Sequence, residues 1–188
     1  MDNKTKILKV ALNLFSMHGY EAVGVQEIAV SSGITKPTLY HYYGNKEGLL
    51  KAILTEHFDK LCDSVRNAAY YNGDLPFTLE KSTLAFFHFA KENPIFYRLQ
   101  LTLWFAPPNS ESFMIVASFH KELHVIIEKM FMQAAHNHGN MTGRQQSYAF
   151  TYLGMVNSYI MLGLNGYTEL DEQLVYTALR QFQYGIYS

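Results

Sequence analysis

The features that mark secreted, membrane-bound or disordered proteins are missing from this sequence. Its 188 residues include one cysteine, Cys62, so no intramolecular disulfide can form. This usage is typical of a reducing compartment, and Cys62 lies on an apolar helical stripe, where we expect a buried small hydrophobe. No apolar run approaches the ~18 residues that cross a bilayer, and no signal-peptide cleavage site follows the N-terminal lysines. We therefore expect a soluble cytoplasmic protein without a membrane partner.

A charge excess is missing as well. The chain has 15 Lys and Arg residues against 16 Asp and Glu residues, a net charge of −1. Bulk charge therefore does not indicate nucleic-acid binding, which would have to depend on local geometry. The sequence also contains no Ser-His-Asp order, no paired catalytic carboxylates and no glycine-rich phosphate loop. We predict that the protein is not an enzyme and uses no cofactor or metal.

Helical periodicity, by contrast, runs along the whole chain. Apolar residues recur at spacings of three and four, and no segment shows the sustained alternation of a strand. Glycine, asparagine and proline breakers predict about nine helices, at about residues 4–18, 25–32, 36–43, 46–69, 76–92, 94–105, 110–136, 143–165 and 171–186. The predicted fold is all-α, with three short helices followed by long ones rich in Phe, Tyr and Met.

The stretch "GVQEIAVSSGITKPTLYHYY", residues 24–43, predicts two short helices joined by a tight turn. Gly33 makes the turn, and Thr35 is a good N-cap for the second helix. Pro37 is tolerated because it lies in the first turn of that helix, and Gly44 ends it. With the preceding helix as a brace, this arrangement is the three-helix form of a helix-turn-helix.

The residue types on this short helix suit contacts with DNA. Lys36 can reach a phosphate or a guanine edge, and Thr38 offers a hydroxyl and a methyl group to a thymine. The hydroxyls of Tyr40 and Tyr42 can donate to phosphate oxygens. Lys46 and the N–H groups that open the fourth helix form an anion site suited to another phosphate.

Packing is the alternative interpretation of the same residues. Leu39 and Tyr43 lie on the opposite side of the short helix, where we expect them to pack on the first two helices. Each outward tyrosine alone is more often a packing residue, and Lys36 and Lys46 alone would be ordinary solvated charges. The joint pattern of turn, caps and spacing favours DNA binding.

Roughly residues 4–54 resemble the N-terminal DNA-binding domain of the tetracycline-repressor (TetR) family. The agreeing elements are "LF" with "GY" after the first helix, "IA" with a glycine in the second, "TLYHYY" and "NKEGLL". One departure is Gly24-Val25, where the family usually has a Thr or Ser that caps the helix and touches phosphate. The resemblance implies a DNA face made of Gln26, Thr35, Lys36, Pro37, Thr38, Tyr40, Tyr42 and Lys46.

The resemblance further implies a DNA-binding domain at residues 1–46, a helical effector domain at residues 47–188, and a homodimer built from the last two helices. Those two helices are apolar on several sides, which suits a subunit interface or an internal core. Gly154 and Gly163 would let a partner helix approach closely. The predicted interface residues are Phe150, Leu153, Gly154, Ile160, Met161, Leu179 and Phe182.

An effector pocket is predicted from a surplus of large, adaptable side chains, although such stripes are more often core. The candidates are Phe87, His88, Tyr97, Trp104, Phe113, Met114, His120 and His124. His120 and His124 have a spacing that can chelate zinc, but His120 also continues an inward apolar stripe. No charged cluster dictates a charged ligand, so we expect a mostly apolar effector.

These inferences predict a ligand-responsive transcriptional regulator. We expect a homodimeric repressor that a small molecule releases from an inverted-repeat operator in double-stranded DNA. One alternative is a DNA-binding protein of the same fold that responds to a protein partner or acts as an activator. A more remote alternative is an all-helical enzyme, or a haem or metal carrier, that uses His88, His120 or His124.

Overall fold

The computed structural model describes residues 2–185. Within that range the chain forms nine α-helices and one 3-10 helix and contains no strand, which confirms the predicted all-α fold. The helices are α1 Asn3–His18, α2 Val25–Ser32, α3 Lys36–Tyr43, α4 Lys46–Ala68, α5 Leu75–Glu92, α6 Pro94–Trp104, α7 Glu111–Ala135, α8 Gln145–Leu164 and α9 Glu172–Tyr184. The 3-10 helix, Gly139–Met141, lies in a segment that the sequence predicts as a loop.

Local capping accounts for the boundaries of the short helices. Gly33 follows α2 in the left-handed conformation, with φ 66° and ψ 35°, and its N–H donates back to the helix. Thr35 caps α3, because its hydroxyl oxygen accepts from the Thr38 N–H at 3.3 Å. Gly44 ends α3 at φ 75°, and the Asn45 side chain accepts from the Gly48 N–H at 2.7 Å, at the start of α4.

The chain divides into two compact units. The first consists of Met1–Asp59 and Ile95–His120, and the second of Lys60–Pro94 and Lys121–Ser188. The first unit therefore contains α1 to α3, residues 46–59 of α4, residues 95–104 of α6 and residues 111–120 of α7. The predicted functional boundary at residues 46 and 47 stays a prediction.

Aromatic side chains from α4, α6 and α7 form a continuous cluster in the first unit. Phe58 of α4 is buried against Phe96 and Phe119, with ring centroids 5.5 and 5.1 Å away. Trp104 stacks on His120, with their centroids 4.3 Å apart. This cluster joins α6 and the start of α7 to the helix that follows the helix-turn-helix.

The second unit is organised around α5, α8 and α9, which pack on one another. Its centre is Tyr152 of α8, which is fully buried beside Phe131 and Phe182. The Tyr152 and Thr83 hydroxyls share a hydrogen bond of 2.9 Å, and burial raises the pKa of Tyr152 above its ordinary value. Cys62 of α4 is 2% exposed, which confirms the expectation of a buried residue.

Within residues 2–185, none of the helices combines the length and the apolar character that a lipid bilayer crossing requires.

Candidate nucleic-acid interface

One side of α3 attaches the helix to the rest of its unit. Leu39 is fully buried, and the Tyr43 hydroxyl donates to the Lys4 carbonyl of α1 at 2.8 Å. Burial raises the pKa of Tyr43 to about 12, so its hydroxyl keeps the donated proton at neutral pH. The expectation that Leu39 and Tyr43 face inward is confirmed.

The other side of α3 faces outward. Lys36 and Pro37 are exposed, and Tyr40 and Tyr42 keep 44% and 41% of their surface accessible. Gln26 of α2, which packs on α3, is exposed as well. The helix therefore presents an ammonium group and two phenol hydroxyls outward while its apolar side is fixed.

Two threonines lie at the start of α3, Thr35 as its N-cap and Thr38 in its first turn. The Thr35 oxygen accepts from the Thr38 N–H at 3.3 Å, so it serves the helix as its cap. The Thr35 and Thr38 hydroxyls also share a hydrogen bond of 2.9 Å. Thr38 remains partly exposed, with its methyl group and hydroxyl in the first turn of α3.

Lys46 is held by the turn between α1 and α2, which the sequence did not predict. Its Nζ lies 4.2 Å from the centroid of the Tyr20 ring and donates to the Glu21 carbonyl at 3.3 Å. The Tyr20 hydroxyl in turn donates to Glu111 Oε2 at 2.7 Å. Tyr20 belongs to the "GY" element after the first helix, but only the folded chain shows that it contacts Lys46.

His41 is a further exposed residue of α3 that the sequence interpretation left out. Its ring meets Tyr42 edge-on, with centroids 5.5 Å apart. Helical spacing could have found it, because His41 follows the outward Pro37 by four positions.

The N-terminus of α2 begins after Gly24, where the sequence lacks the Thr or Ser that is usual in the TetR family. Gly24 has extended backbone geometry, and no side-chain hydrogen bond caps the helix. The first N–H groups of α2 therefore lack the hydroxyl that a Ser or Thr would supply there.

The predicted pocket residues divide between the two units. Tyr97, Trp104, Phe113, Met114 and His120 are in the first, and Phe87, His88 and His124 are in the second. Phe87 and Tyr97 are buried in the cores of their own units, whereas His88 and Met114 are exposed. In the first unit, Met114 lines a groove of about 520 Å³ between α4 and α7, together with Glu47, Lys51, Thr55, Glu111, Ile115, Ser118 and Phe119.

The two histidines of α7 pack against rings. His120 stacks on Trp104, and His124 meets Phe150 edge-on with centroids 4.6 Å apart. Burial lowers the pKa of His124, and the nearby Glu128 opposes that shift. In the part of the chain that the structure describes, no group of three His, Cys, Asp or Glu side chains could hold a metal ion.

Several of the predicted interface residues are buried within their own subunit. Leu153, Ile160 and Leu179 are 6%, 0% and 6% exposed, because they fill the core of their own unit and have little surface left for a partner. Phe182 likewise packs on rings inside the unit, and Met161 is half-buried. A Cβ at Gly163 would meet Leu170 at 2.5 Å, so this close approach is internal.

Two of the predicted interface residues do face outward on α8. Phe150 is 54% exposed. Gly154 is exposed, and a Cβ there would meet nothing within 4 Å. Leu162 of α8 and Tyr176 of α9, which were not predicted, are exposed by 43% and 57%.

Comparison with known proteins identifies the helix-turn-helix region. Residues 7–53 match the family model described as "Bacterial regulatory proteins, tetR family". The chain is similar to the HTH-type transcriptional activator FasR of Mycolicibacterium smegmatis, with 35% identity over 98 residues, which span 52% of this chain and 45% of FasR. It is also similar to the HTH-type transcriptional repressor ComR of Escherichia coli, with 42% identity over 53 residues, 28% of this chain and 25% of ComR. The matches therefore span less than half the length of these relatives.

Solved structures match the fold over nearly the whole chain. The transcriptional regulator FadR from Bacillus subtilis, in complex with stearoyl-CoA, gives a TM-score of 0.80 at 18% identity, covering 97% of this chain and 99% of that one. The fatty acid degradation regulator FadR from Bacillus halodurans gives 0.77 at 20% identity, covering 100% and 97%. Identities this low show the fold alone. The proteins matched in sequence are described as transcriptional regulators, which supports the prediction that the chain is not an enzyme.

Proposed function

Because residues 7–53 match the model of the tetR family of bacterial regulatory proteins, we propose that this chain is a ligand-responsive, homodimeric repressor of transcription. Its α3 helices would enter successive major grooves of an inverted-repeat operator, about 34–36 Å apart. Operator DNA lies in the bacterial cytoplasm, which is where we place the protein.

The two-sided character of α3 is the observation that carries this proposal. Leu39 is buried and Tyr43 is bonded to α1, while Lys36, Tyr40 and Tyr42 point outward. A recognition helix needs this combination, because its contacts specify a sequence only if the helix itself is held in one orientation.

We assign separate roles to the outward residues. Thr38 and Lys36 would read base edges, because a threonine methyl suits thymine and a lysine suits guanine. Tyr40, Tyr42 and Lys46 would contact phosphates and set the register of the helix on the duplex. Gln26, Pro37 and the cap residue Thr35 would flank this face.

A homodimer through α8 and α9 is the second part of the proposal. The two helices expose Phe150, Leu162 and Tyr176, and Gly154 leaves open space beside α8. Burying such side chains against a twofold-related copy would stabilise the pair and provide both recognition helices at once.

An apolar effector is the third part. The FadR structure from Bacillus subtilis, which shares this fold, is a complex with stearoyl-CoA, a ligand with a long acyl chain. Because α4 is one helix from Lys46 to Ala68, a displacement of its later turns would also move Lys46. The effector must bind the form with low DNA affinity more tightly, since otherwise no population shifts.

Activation instead of repression is the alternative that one observation favours. FasR, which shares 35% identity with this chain over 98 residues, is a transcriptional activator. Expression of a reporter gene under the selected operator, measured in cells with and without this protein, would distinguish repression from activation.

The proposal is tested by selecting bound duplexes from a random pool with the wild-type protein and then comparing two substitutions. Lys46→Ala should weaken binding to all duplexes by roughly threefold to tenfold. It should also reduce by about 1 the steepness with which the logarithm of the binding constant falls against the logarithm of the salt concentration (the salt slope). Thr38→Ala should instead change the preferred sequence, because it removes a base contact. Fluorescence anisotropy at several salt concentrations measures both effects.

Lys91→Ala is a matched control, because Lys91 is an exposed lysine on α5, and it should bind as the wild type does. A wild-type protein that enriches no sequence from the pool contradicts the proposed function. Unchanged binding by both Lys46→Ala and Thr38→Ala contradicts the residue roles alone.

A further inference from the structure

The turn between α1 and α2 is connected at two points to the start of α7, within the first unit. The Tyr20 hydroxyl donates to Glu111 Oε2 at 2.7 Å. The Ser112 hydroxyl donates to Glu21 Oε1 at 3.2 Å. Two neighbouring residues of the turn thus form hydrogen bonds with two neighbouring residues of α7.

The same two turn residues also hold Lys46. The ammonium nitrogen lies 4.2 Å from the centroid of the Tyr20 ring, a distance at which a cation is attracted to the ring face. It also donates to the Glu21 carbonyl at 3.3 Å. The Tyr20 ring and the Glu21 carbonyl form a platform for Lys46. The same two residues make the contact with α7.

We propose that Tyr20 and Glu111 are positioning residues for DNA binding: Glu111 fixes the Tyr20 ring, and the ring together with the Glu21 carbonyl holds Lys46 where it meets a phosphate. This inference rests on the proposed DNA-binding function of the chain. The first turn of α7 therefore affects DNA affinity indirectly, through Lys46 at the start of α4.

Pre-organisation gives the physical reason. A lysine side chain has four rotatable carbon–carbon bonds, and ordering it during binding costs entropy that a side chain already held in place does not lose. An ammonium group has three N–H donors. With one donated to the Glu21 carbonyl, Lys46 still has N–H groups to offer to a phosphate oxygen.

The Tyr20 platform is itself firmly held. Tyr20 is 3% exposed, and its ring packs edge-on against Phe15 with centroids 5.1 Å apart. Burial, followed by the hydrogen bond to Glu111, raises the pKa of Tyr20, so the hydroxyl remains a donor to the carboxylate at neutral pH. Removing either member of this pair would loosen the ring that Lys46 covers.

A double-mutant cycle tests the inference. Tyr20→Phe and Glu111→Ala each remove the hydrogen bond, and Tyr20→Phe keeps the ring. Each substitution is made both in the wild-type chain and in the Lys46→Ala variant. Fluorescence anisotropy then measures the affinity of every variant for the duplex that the wild type selects, at several salt concentrations. We expect each to weaken binding about threefold in the wild-type chain and to lower the salt slope by up to about 1. In Lys46→Ala we expect no further loss, because the residue being positioned is gone.

Tyr71→Phe is the matched control, because the Tyr71 hydroxyl accepts from Asn137 at 3.0 Å within the second unit. It removes a comparable side-chain hydrogen bond and should leave both affinity and salt slope unchanged. Equal weakening by Tyr20→Phe in the presence and absence of Lys46, or no weakening at all, overturns the positioning role.

A second readout does not require DNA. Protons on the Lys46 ε-carbon should be shifted upfield in NMR spectra by the Tyr20 ring current, and Glu111→Ala should reduce that shift. An unchanged shift in Glu111→Ala overturns the inference by itself. A wild-type chain that binds no duplex but shows the expected NMR change leaves the platform intact and contradicts the proposed function instead.

Discussion

Tyr40 and Tyr42 of α3 and Tyr152 of α8 have the same chemistry in opposite surroundings. Tyr40 and Tyr42 are 44% and 41% exposed, whereas Tyr152 is fully buried. The folded chain supplies Tyr152 with the Thr83 hydroxyl as a partner and with Phe131 and Phe182 as ring neighbours. A tyrosine whose ring and hydroxyl are both satisfied internally serves stability, while an exposed one on a fixed helix remains available to a ligand.

Tyr20, which is buried, and Tyr43, which is half-buried, form a third group. Each donates its hydroxyl to a distant part of the chain, Tyr20 to Glu111 and Tyr43 to the Lys4 carbonyl. Both therefore hold a segment that presents other side chains outward. The comparison predicts that substitutions at Tyr152 change the free energy of unfolding, whereas those at Tyr40 and Tyr42 change DNA affinity.

The largest effect is expected at the centre of the second unit. Tyr152→Ala should lower the free energy of unfolding by about 3–5 kcal/mol, because it leaves a cavity where a large ring packs. Tyr152→Phe keeps the ring and should lower it by only about 1 kcal/mol, through the lost hydroxyl contact with Thr83. Urea unfolding followed by circular dichroism measures both, and equal losses would contradict a packing role for the ring.

A smaller effect, on a different quantity, is expected at Tyr40. Tyr40→Ala should weaken operator binding by about 1.5–3 kcal/mol, the value of a hydrogen bond to a charged phosphate, and should change stability by less than about 0.5 kcal/mol. Its neighbour Leu39 is the contrast, because Leu39→Ala removes a fully buried side chain and should destabilise the fold by about 2–5 kcal/mol. Anisotropy and urea unfolding on both variants test whether α3 is two-sided. A Tyr40→Ala chain that binds normally would place Tyr40 outside the interface.

The helix-turn-helix could be predicted from the sequence because its determinants are local. Thr35, Gly33 and Gly44 set the bounds of α2 and α3 through contacts within a few residues. The outward and inward sides of α3 follow from helical spacing once those bounds are known.

Contacts between distant segments could not be predicted in the same way. Lys46 meets a ring 26 positions earlier, and Tyr20 meets Glu111 91 positions later. An apolar helix also does not reveal which of its residues its own subunit buries, so Ile160 and Leu179 were expected at an interface and lie in the core. Pairing of this kind depends on tertiary packing rather than on local pattern.

The smallest effect concerns Tyr43 and alkaline pH. Burial raises the pKa of Tyr43 from its ordinary value of 10.0 to about 12 in the folded chain. The unfolded chain therefore loses this proton at lower pH than the folded chain does. The contribution to stability is complete below pH 10 and is lost as the pH rises from 10 to about 12. Tyr43→Phe should reduce the decline in the free energy of unfolding over that range, as urea unfolding at several pH values would show.

Part of the alkaline decline should persist in Tyr43→Phe, because burial raises the pKa of Tyr20 and Tyr152 in the same direction. An equal decline in Tyr43→Phe and the wild type would mean that the Tyr43 hydroxyl is not buried against the rest of its unit in solution. The inward side of α3 would then depend on Leu39 alone.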